Sequence, residues 1–284
     1  RVDAALGHPP RLDLVDIGAG TGDLISRIVA LADPALAVRL NLIAVEVTAR
    51  PPALPRTIAW LPDLPDEITG LVVANEWLDN IPLDVIEFTA DGLRTMLVDP
   101  ATGAEIPGPR PSEDDLAWMK RWWPLTDPGD RAEIGRPRCR AWASVISRLR
   151  SGLAVAVDYG HELPGRPPYG TLTGYRDGHV VPPIPDGSCD VTAHVAMDAC
   201  ASAGTDAGAT HTLMTTQRAA LQALGLAATR PPLDLARSDP RAYLTALSAA
   251  GETAELLDPS GLGGFTWLLQ SVTIPIPLAP DTAC

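Results

Sequence analysis

The sequence predicts an α/β fold, with a mainly parallel central sheet and helices on both faces. Two observations carry that expectation. Short apolar runs recur along the chain, at Leu12–Ile17, Leu40–Val45, Leu71–Ala74 and Leu153–Val157, and they are too apolar for strands with one wet face. Helical or turn-rich stretches separate them, the alternation that builds parallel strands joined by crossovers.

Taken in order, Leu12 to Ile17 reads as a strand and Gly18-Ala19-Gly20-Thr21-Gly22 as a tight turn. Asp23 to Leu31 follows as an amphipathic helix, with Leu24, Ile25, Ile28 and Leu31 on one face. Leu40 to Val45 is a second strand ending on Glu46, and Pro51, Pro52 and Pro55 break the chain before a short strand around Ile58 to Trp60. Leu71 to Ala74 is a buried strand running into Asn75-Glu76. A hairpin follows: Asp84 to Phe88, a turn at Ala90-Asp91-Gly92, then Leu93 to Val98. Residues 101–135, rich in proline and acidic groups, read as an insertion. A helix near Arg140 to Arg150 leads into the strand Leu153 to Asp158, and residues 160–188 form a Gly/Pro-rich loop. Ala242 to Leu257 reads as a helix and Phe265 to Val272 as a closing strand. No linker composition divides the 284 residues, so one domain over 1–284 is expected: a ligand-binding half over about 11–100, the insertion over about 101–150, and a substrate-facing half over about 151–284.

The formal net charge of −13 argues against a phosphate backbone as partner, and no apolar run is long enough to cross a bilayer. Cys139, Cys189, Cys200 and Cys284 show no C-x-x-C spacing, so reduced thiols of a cytoplasmic protein are expected rather than a zinc site or redox dithiol. The spacing of His179, Asp190 and His194 matches no metal template, and no metal is expected. Capping of a helix by Asp190 or Thr192, with His194 lining the substrate side, is the favoured reading of that run. Trp118, Trp122 and Trp123 make an aromatic stripe expected in the core rather than in a substrate cage.

The glycine turn carries the chemistry. Three alternate glycines let the backbone approach a ligand, and the helix behind directs its N–H groups at it. Asp23 occupies the third glycine position of the dinucleotide fingerprint, which demotes a nicotinamide cofactor. G-x-G-x-G after an acidic residue, here Asp16, is instead the pattern of Rossmann-like methyltransferases dependent on S-adenosylmethionine (SAM). Glu46 at the second strand end suits both ribose hydroxyls, and Asp63 past the third strand suits the adenine amino group. Ala74-Asn75-Glu76-Trp77-Leu78-Asp79 ends the fourth strand at the expected switch point. If residues 76–79 form a helical turn, Glu76 and Asp79 share a face; a cap role for Asn75 fits the spacing equally.

Four blocks occur in order: the glycine turn; Ala74-Asn75-Glu76 with Asp79 and Pro82; Asp158-Tyr159-Gly160-His161; and the run from His179 to Asp190-Val191-Thr192-Ala193-His194-Val195. With them the chain resembles the MidA-like methyltransferase family over nearly its whole length. That resemblance implies SAM as cofactor, with Asp16, Gly18, Gly20, Gly22, Glu46, Asp63 and Asn75 toward it. It also implies a protein arginine as acceptor, as for the family's mitochondrial member, which methylates an arginine of a complex I subunit. Asp16 stands where many members have Glu, and members carry a preceding segment that helps roof the cofactor pocket.

Arginine methylation needs carboxylates to orient a protonated guanidinium and receive its proton. Glu76 and Asp79 are the natural candidates, with Asp158 as a third and His161 as a proton relay. Tyr159, Tyr175, His179, Asp190 and His194 are candidates for the substrate side. Two other readings stand beside this one: a methyltransferase for a small metabolite or peptide natural product, and a scaffold protein that retains the fold without activity.

Overall fold

The computed structural model describes residues 1–278. Helix α1 (Val2–Ala5) leads into β1 (Leu12–Ile17), which the glycine turn joins to α2 (Asp23–Leu31). One helical turn, α3 (Pro34–Ala37), is capped by the Asp33 carboxylate on the Ala35 N–H and precedes β2 (Leu40–Val45). Then come β3 (Ile58–Leu61), β4 (Ile68–Asn75) and the hairpin β5 (Asp84–Thr89) with β6 (Gly92–Val98). Strand β7 (Glu105–Pro107), α4 (Glu113–Trp122) and β8 (Arg131–Ile134) lead to α5 (Arg136–Arg148) and β9 (Leu149–Asp158). Beyond lie β10 (Gly160–His161), β11 (Thr173–Arg176), β12 (His179–Val181), β13 (Asp190–Thr192) and β14 (Val195–Ala196). Helix α6 (Met197–Asp206), β15 (His211–Thr216), α7 (Gln217–Ala223), α8 (Leu233–Ser238), α9 (Pro240–Leu256) and β16 (Thr266–Val272) complete the order.

The central sheet runs β15-β16-β9-β4-β1-β2-β3. β9, β4, β1, β2 and β3 are mutually parallel; β16 is antiparallel to β9, and β15 to β16. The chain moves outward from β1 through β2 to β3, then returns to place β4 on the other side of β1. That reversal opens a crevice above the carboxyl ends of β1 and β4, where open α/β sheets bind ligands.

Alternate residues of each strand meet different surroundings. Val72 and Ala74 of β4 and Ala154 and Ala156 of β9 pack with Trp142, Val145 and Ile146 of α5 and Met197 and Cys200 of α6. Their neighbours Leu71, Val73, Val155 and Val157 point the other way, into an apolar groove of about 700 Å³. Helices therefore lie on both faces, as expected, but cover them unequally. The predicted apolar face of α2 shows the same thing: Ile25 is fully buried, whereas Leu24 is 40% and Leu31 87% exposed.

Several boundaries differ from the expectation. α5 begins at Arg136 because Gly135 and Pro137 start a helix rather than interrupt one, and β9 begins four residues early at Leu149. The 160–188 stretch, expected as loop, carries β11 and β12, which join β13 in a three-stranded sheet. Asp190 and Thr192 accordingly cap no helix; both lie in β13. β16 is the closing strand of the chain, as expected, and β15 lies outside it in the sheet. Of the tryptophan stripe, Trp118 and Trp123 are core, as expected. Cys139, Cys189 and Cys200 are free thiols, while Cys284 lies outside the described residues. Among the described residues no helix is long and apolar enough to cross a membrane.

Candidate active site at the sheet switch point

Gly18, Gly20 and Gly22 all take positive φ, at 68°, 55° and 78°, which side chains rarely adopt. Their surroundings differ. A Cβ on Gly18 would come within 2.9 Å of Trp77 Cδ1 and one on Gly22 within 2.6 Å of Leu54 Cδ1, whereas at Gly20 it would meet nothing within 4 Å. The turn is thus packed at both ends and open in the middle.

Glu46, just beyond β2, accepts the Gly20 N–H at 3.0 Å on one oxygen and the Thr48 N–H at 3.0 Å on the other. Burial works against its charge, but these backbone donors hold its pKa below the ordinary value. Asp16, near the end of β1, is 4% exposed, and its Oδ2 has no partner. Burial pushes its pKa up to about 6, with the Ile25 N–H pulling the other way. A buried carboxylate oxygen without a donor, next to an open glycine turn, is fitted to a cationic group such as the α-ammonium of SAM. Glu46, beside the turn at the end of β2, is the acceptor that would hold ribose hydroxyls when SAM is bound. Asp63 is exposed just past β3, and Asn75 is exposed at the tip of β4 with its amide 3.3 Å from Glu76 Oε1.

The chain after β4 does not form the helical turn considered from its spacing. Glu76 takes a left-handed conformation (φ 48°), its N–H donates to Val157 O at 2.8 Å, and residues 77–80 turn irregularly. A non-glycine residue at positive φ is strained and recurs at functional sites. The strain turns the exposed Glu76 carboxylate toward Tyr159, whose hydroxyl donates to Oε2 at 2.8 Å. Burial and the Glu76 carboxylate raise the Tyr159 pKa, so the phenol stays protonated. Its ring packs edge-on against Phe265 at 4.4 Å and lies stacked 6.0 Å from His194.

Asp158 differs from the expectation of a reacting group. It is fully buried, accepting the Leu78 and Asp79 N–H groups at 3.0 and 3.2 Å on one oxygen and the Tyr159 N–H at 3.1 Å on the other. Burial, then the nearby Asp79 carboxylate, pushes its pKa up to about 8. No acceptor can touch it; it fixes the loop that carries Asp79. Asp79 itself is half-buried and accepts the Thr192 hydroxyl at 3.1 Å. Burial raises its pKa.

The relay expected of His161 also meets an obstacle. Arg166 Nη1 lies 2.5 Å from His161 Nδ1, so Nδ1 acts as acceptor and Nε2 carries the hydrogen, buried and without a partner. Burial and the adjacent guanidinium lower its pKa to about 4, which leaves it a weak base. His194 is exposed near Tyr159, its pKa lowered by burial of the ring. Tyr175, His179 and Asp190 stand apart on the β11–β12–β13 sheet, with His179 paired to Arg176 and exposed.

Two arginines organise this side and were not singled out from sequence. Arg138 is 2% exposed and donates to four carbonyls: Asp79 and Ile81 from one loop, Ala193 and His194 from another. Arg166 ties Trp122 O, His161 and Asp198 together. A sequence signal for Arg138 exists: it stands four, seven and eight residues before Trp142, Val145 and Ile146, on the core face of α5.

Comparison with known proteins agrees with this geometry. Residues 3–215 match the family described as "Putative S-adenosyl-L-methionine-dependent methyltransferase". A native crystal structure of a protein from Burkholderia thailandensis is similar at 27% identity, covering 98% of this chain and 78% of that one, with a TM-score of 0.77. A second structure from that organism, bound to S-adenosyl-homocysteine, is similar at 26% identity, covering 98% and 76%, with a TM-score of 0.75. A comparison with curated proteins gives no match. The glycine turn, the acidic strand ends and the match over three quarters of the chain give one conclusion: the protein belongs to this family of SAM-dependent methyltransferases, and SAM is its cofactor.

Proposed function

We propose that the protein transfers the methyl group of SAM to a guanidinium nitrogen of an arginine in a polypeptide. One observation carries the reading: two carboxylates, Glu76 and Asp79, leave the same strand end, one exposed and one half-buried, each held by a hydroxyl donor. When bound, SAM supplies an activated methyl on a cationic sulfur. The residues then have to align a nucleophile and take up its proton. Guanidinium is a poor nucleophile while fully protonated, and it binds planar carboxylates through paired N–H donors. Glu76 orients the guanidinium, with Tyr159 fixing one of its oxygens. Asp79, whose pKa burial raises above the ordinary carboxylate value, receives the proton as the C–S bond breaks and the N–C bond forms.

A hydroxyl acceptor on a small metabolite calls for a different base. His161 is the neighbouring candidate, and its engaged Nδ1 and lowered pKa disfavour it. A scaffold without activity has no need of an open glycine turn beside an unpartnered buried carboxylate oxygen. The experiment is incubation of a lysate with the protein and isotopically labelled SAM, followed by mass spectrometry of peptides and small molecules. Label on arginine side chains supports the reading; label confined to metabolites, or to other side chains, overturns it.

A further inference from the structure

The small β11–β12–β13 sheet has two unlike faces. Residues opposite one another on antiparallel strands share a face, as do residues two apart on one strand. By the observed register, Gly174, Arg176, His179, Val181 and Val191 face one way, and Thr173, Tyr175, Val180, Asp190 and Thr192 the other. The chain's own 182–189 loop backs the first face. Arg176 Nε donates to Ser188 O at 2.7 Å, and a Cβ on Gly174 would come within 2.9 Å of Pro182 O and 3.1 Å of Cys189 Sγ.

The second face is open along its outer part, where Tyr175, Val180 and Asp190 are exposed. Its inner end is anchored, because Thr192 is buried and gives its hydroxyl to Asp79. The face therefore starts at a carboxylate of the active site and runs outward to an aromatic ring and a carboxylate set directly across from each other, Tyr175 opposite Asp190. Among the described residues neither side chain has a hydrogen-bond or ion-pair partner.

We propose that Tyr175 and Asp190 form a subsite for a second cationic side chain on the acceptor polypeptide, two residues from the arginine that is methylated. This rests on the arginine reading above. Thr192 and Asp190 are two residues apart on a strand, about 6.6 Å, which is also the repeat between same-side residues of an extended peptide lying alongside. A guanidinium there stacks on the phenol ring while donating to the carboxylate, a pairing that suits arginine better than lysine. The chain's formal charge of −13 adds a general attraction for a basic segment.

The test is calorimetric binding of synthetic peptides to the full chain saturated with S-adenosyl-homocysteine. Gly-Gly-Arg-Gly-Arg-Gly-Gly carries two cations two residues apart and reads the same in either register; Gly-Gly-Arg-Gly-Ala-Gly-Gly carries one. The first should bind about fivefold to tenfold more tightly, beyond the twofold statistical gain of two identical arginines. That preference should shrink to about twofold in Asp190→Asn combined with Tyr175→Ala, two exposed changes, while affinity for S-adenosyl-homocysteine holds. Equal binding of the two peptides apart from the statistical factor, an undiminished preference in the double variant, or no binding of either peptide overturns the subsite. Parallel assays with labelled SAM separate the two ideas: a preference that stands without any methyl transfer to arginine retains the cation subsite and sinks the arginine reading.

Discussion

Asp16→Asn should make the protein more stable and a poorer binder of its cofactor at the same time. The side chain is buried at the end of β1 with Oδ2 unpartnered, and burial lifts its pKa to about 6 from the ordinary 3.8. The native state therefore keeps a proton that the unfolded chain has already released. In that case stability is greatest below about pH 4 and falls as pH rises to about 6, beyond which the loss is complete. At about 1.36 kcal/mol per pH unit, the interval from 3.8 to about 6 corresponds to about 3 kcal/mol. Asparagine is close in shape to the protonated acid and does not titrate. Without cofactor, the variant should match the wild type near pH 4 and exceed it by up to about 3 kcal/mol at pH 7.5. The carboxylate stands ready for a cation, so the variant should bind S-adenosyl-homocysteine about tenfold to a hundredfold more weakly, the scale of a lost charge-assisted hydrogen bond. Urea unfolding at the two pH values, with calorimetry alongside, reads both effects. A variant less stable than wild type at pH 7.5 would refute the argument from burial, and unchanged affinity would remove Asp16 from the cofactor site.

Gly20→Val and Glu46→Ala should each weaken S-adenosyl-homocysteine binding by about tenfold or more, the first by strain at φ 55° and by filling the open middle of the turn; calorimetry with both affinities unchanged would contradict the site. Glu76→Gln should retain cofactor affinity while single-turnover transfer to an identified acceptor drops about a hundredfold, and near-normal turnover would reduce Glu76 to a structural part. Arg138→Met should cost about 3–5 kcal/mol by stripping four carbonyls of their donor and leaving Asp158 without its nearby cation, lowering the melting temperature by about 10 °C; a shift within a degree or two would show that the guanidinium is dispensable.

The parts legible in sequence are those that local rules govern. Gly18, Gly20 and Gly22 announce a turn that needs positive φ, and apolar runs ending in Asp16, Glu46 and Asn75-Glu76 mark strand ends at a ligand crevice. The acceptor side was legible in residue type and not in role. Asp158 reads as a carboxylate at a strand end, but whether it meets solvent depends on residues 76–80 folding back over it, which no spacing encodes. The same fold-back, driven by the left-handed Glu76, replaced the expected helical turn. β11 to β13 escaped notice because strands of three or four residues broken by Gly174 and Gly178 lack a countable period. The exposed Leu31 was equally out of reach, since periodicity reports an apolar face and not what covers it.

The charges of the acceptor side divide into two layers. Deep in the fold, Asp158 accepts backbone N–H groups from the loop after β4, and Arg138 donates to that loop's carbonyls and to those of the His194 segment. Each buried group satisfies backbone partners of one polarity, and their opposite charges lie near enough to moderate each other's burial. This inner layer holds two loops in fixed relation, with burial pushing the Asp158 pKa up to about 8 beside the Arg138 guanidinium. The outer layer carries the carboxylates that reach solvent, Glu76 exposed and Asp79 half-buried. The Glu76 carboxylate adds to the cost of ionising Asp79, and the side-chain donors on the pair are neutral: Tyr159 and Asn75 on Glu76, Thr192 and Asn80 on Asp79. A neutral acceptor would leave that excess negative charge in place, whereas a guanidinium removes it on binding. Under the proposed arginine reading, methyl transfer that keeps the guanidinium cationic would preserve its pairing with the site, and product release would depend on the contacts that flank it. The proposed subsite supplies those contacts: Asp190 on β13 and Tyr175 opposite it on β11, with β13 tied to Asp79 through the Thr192 hydroxyl.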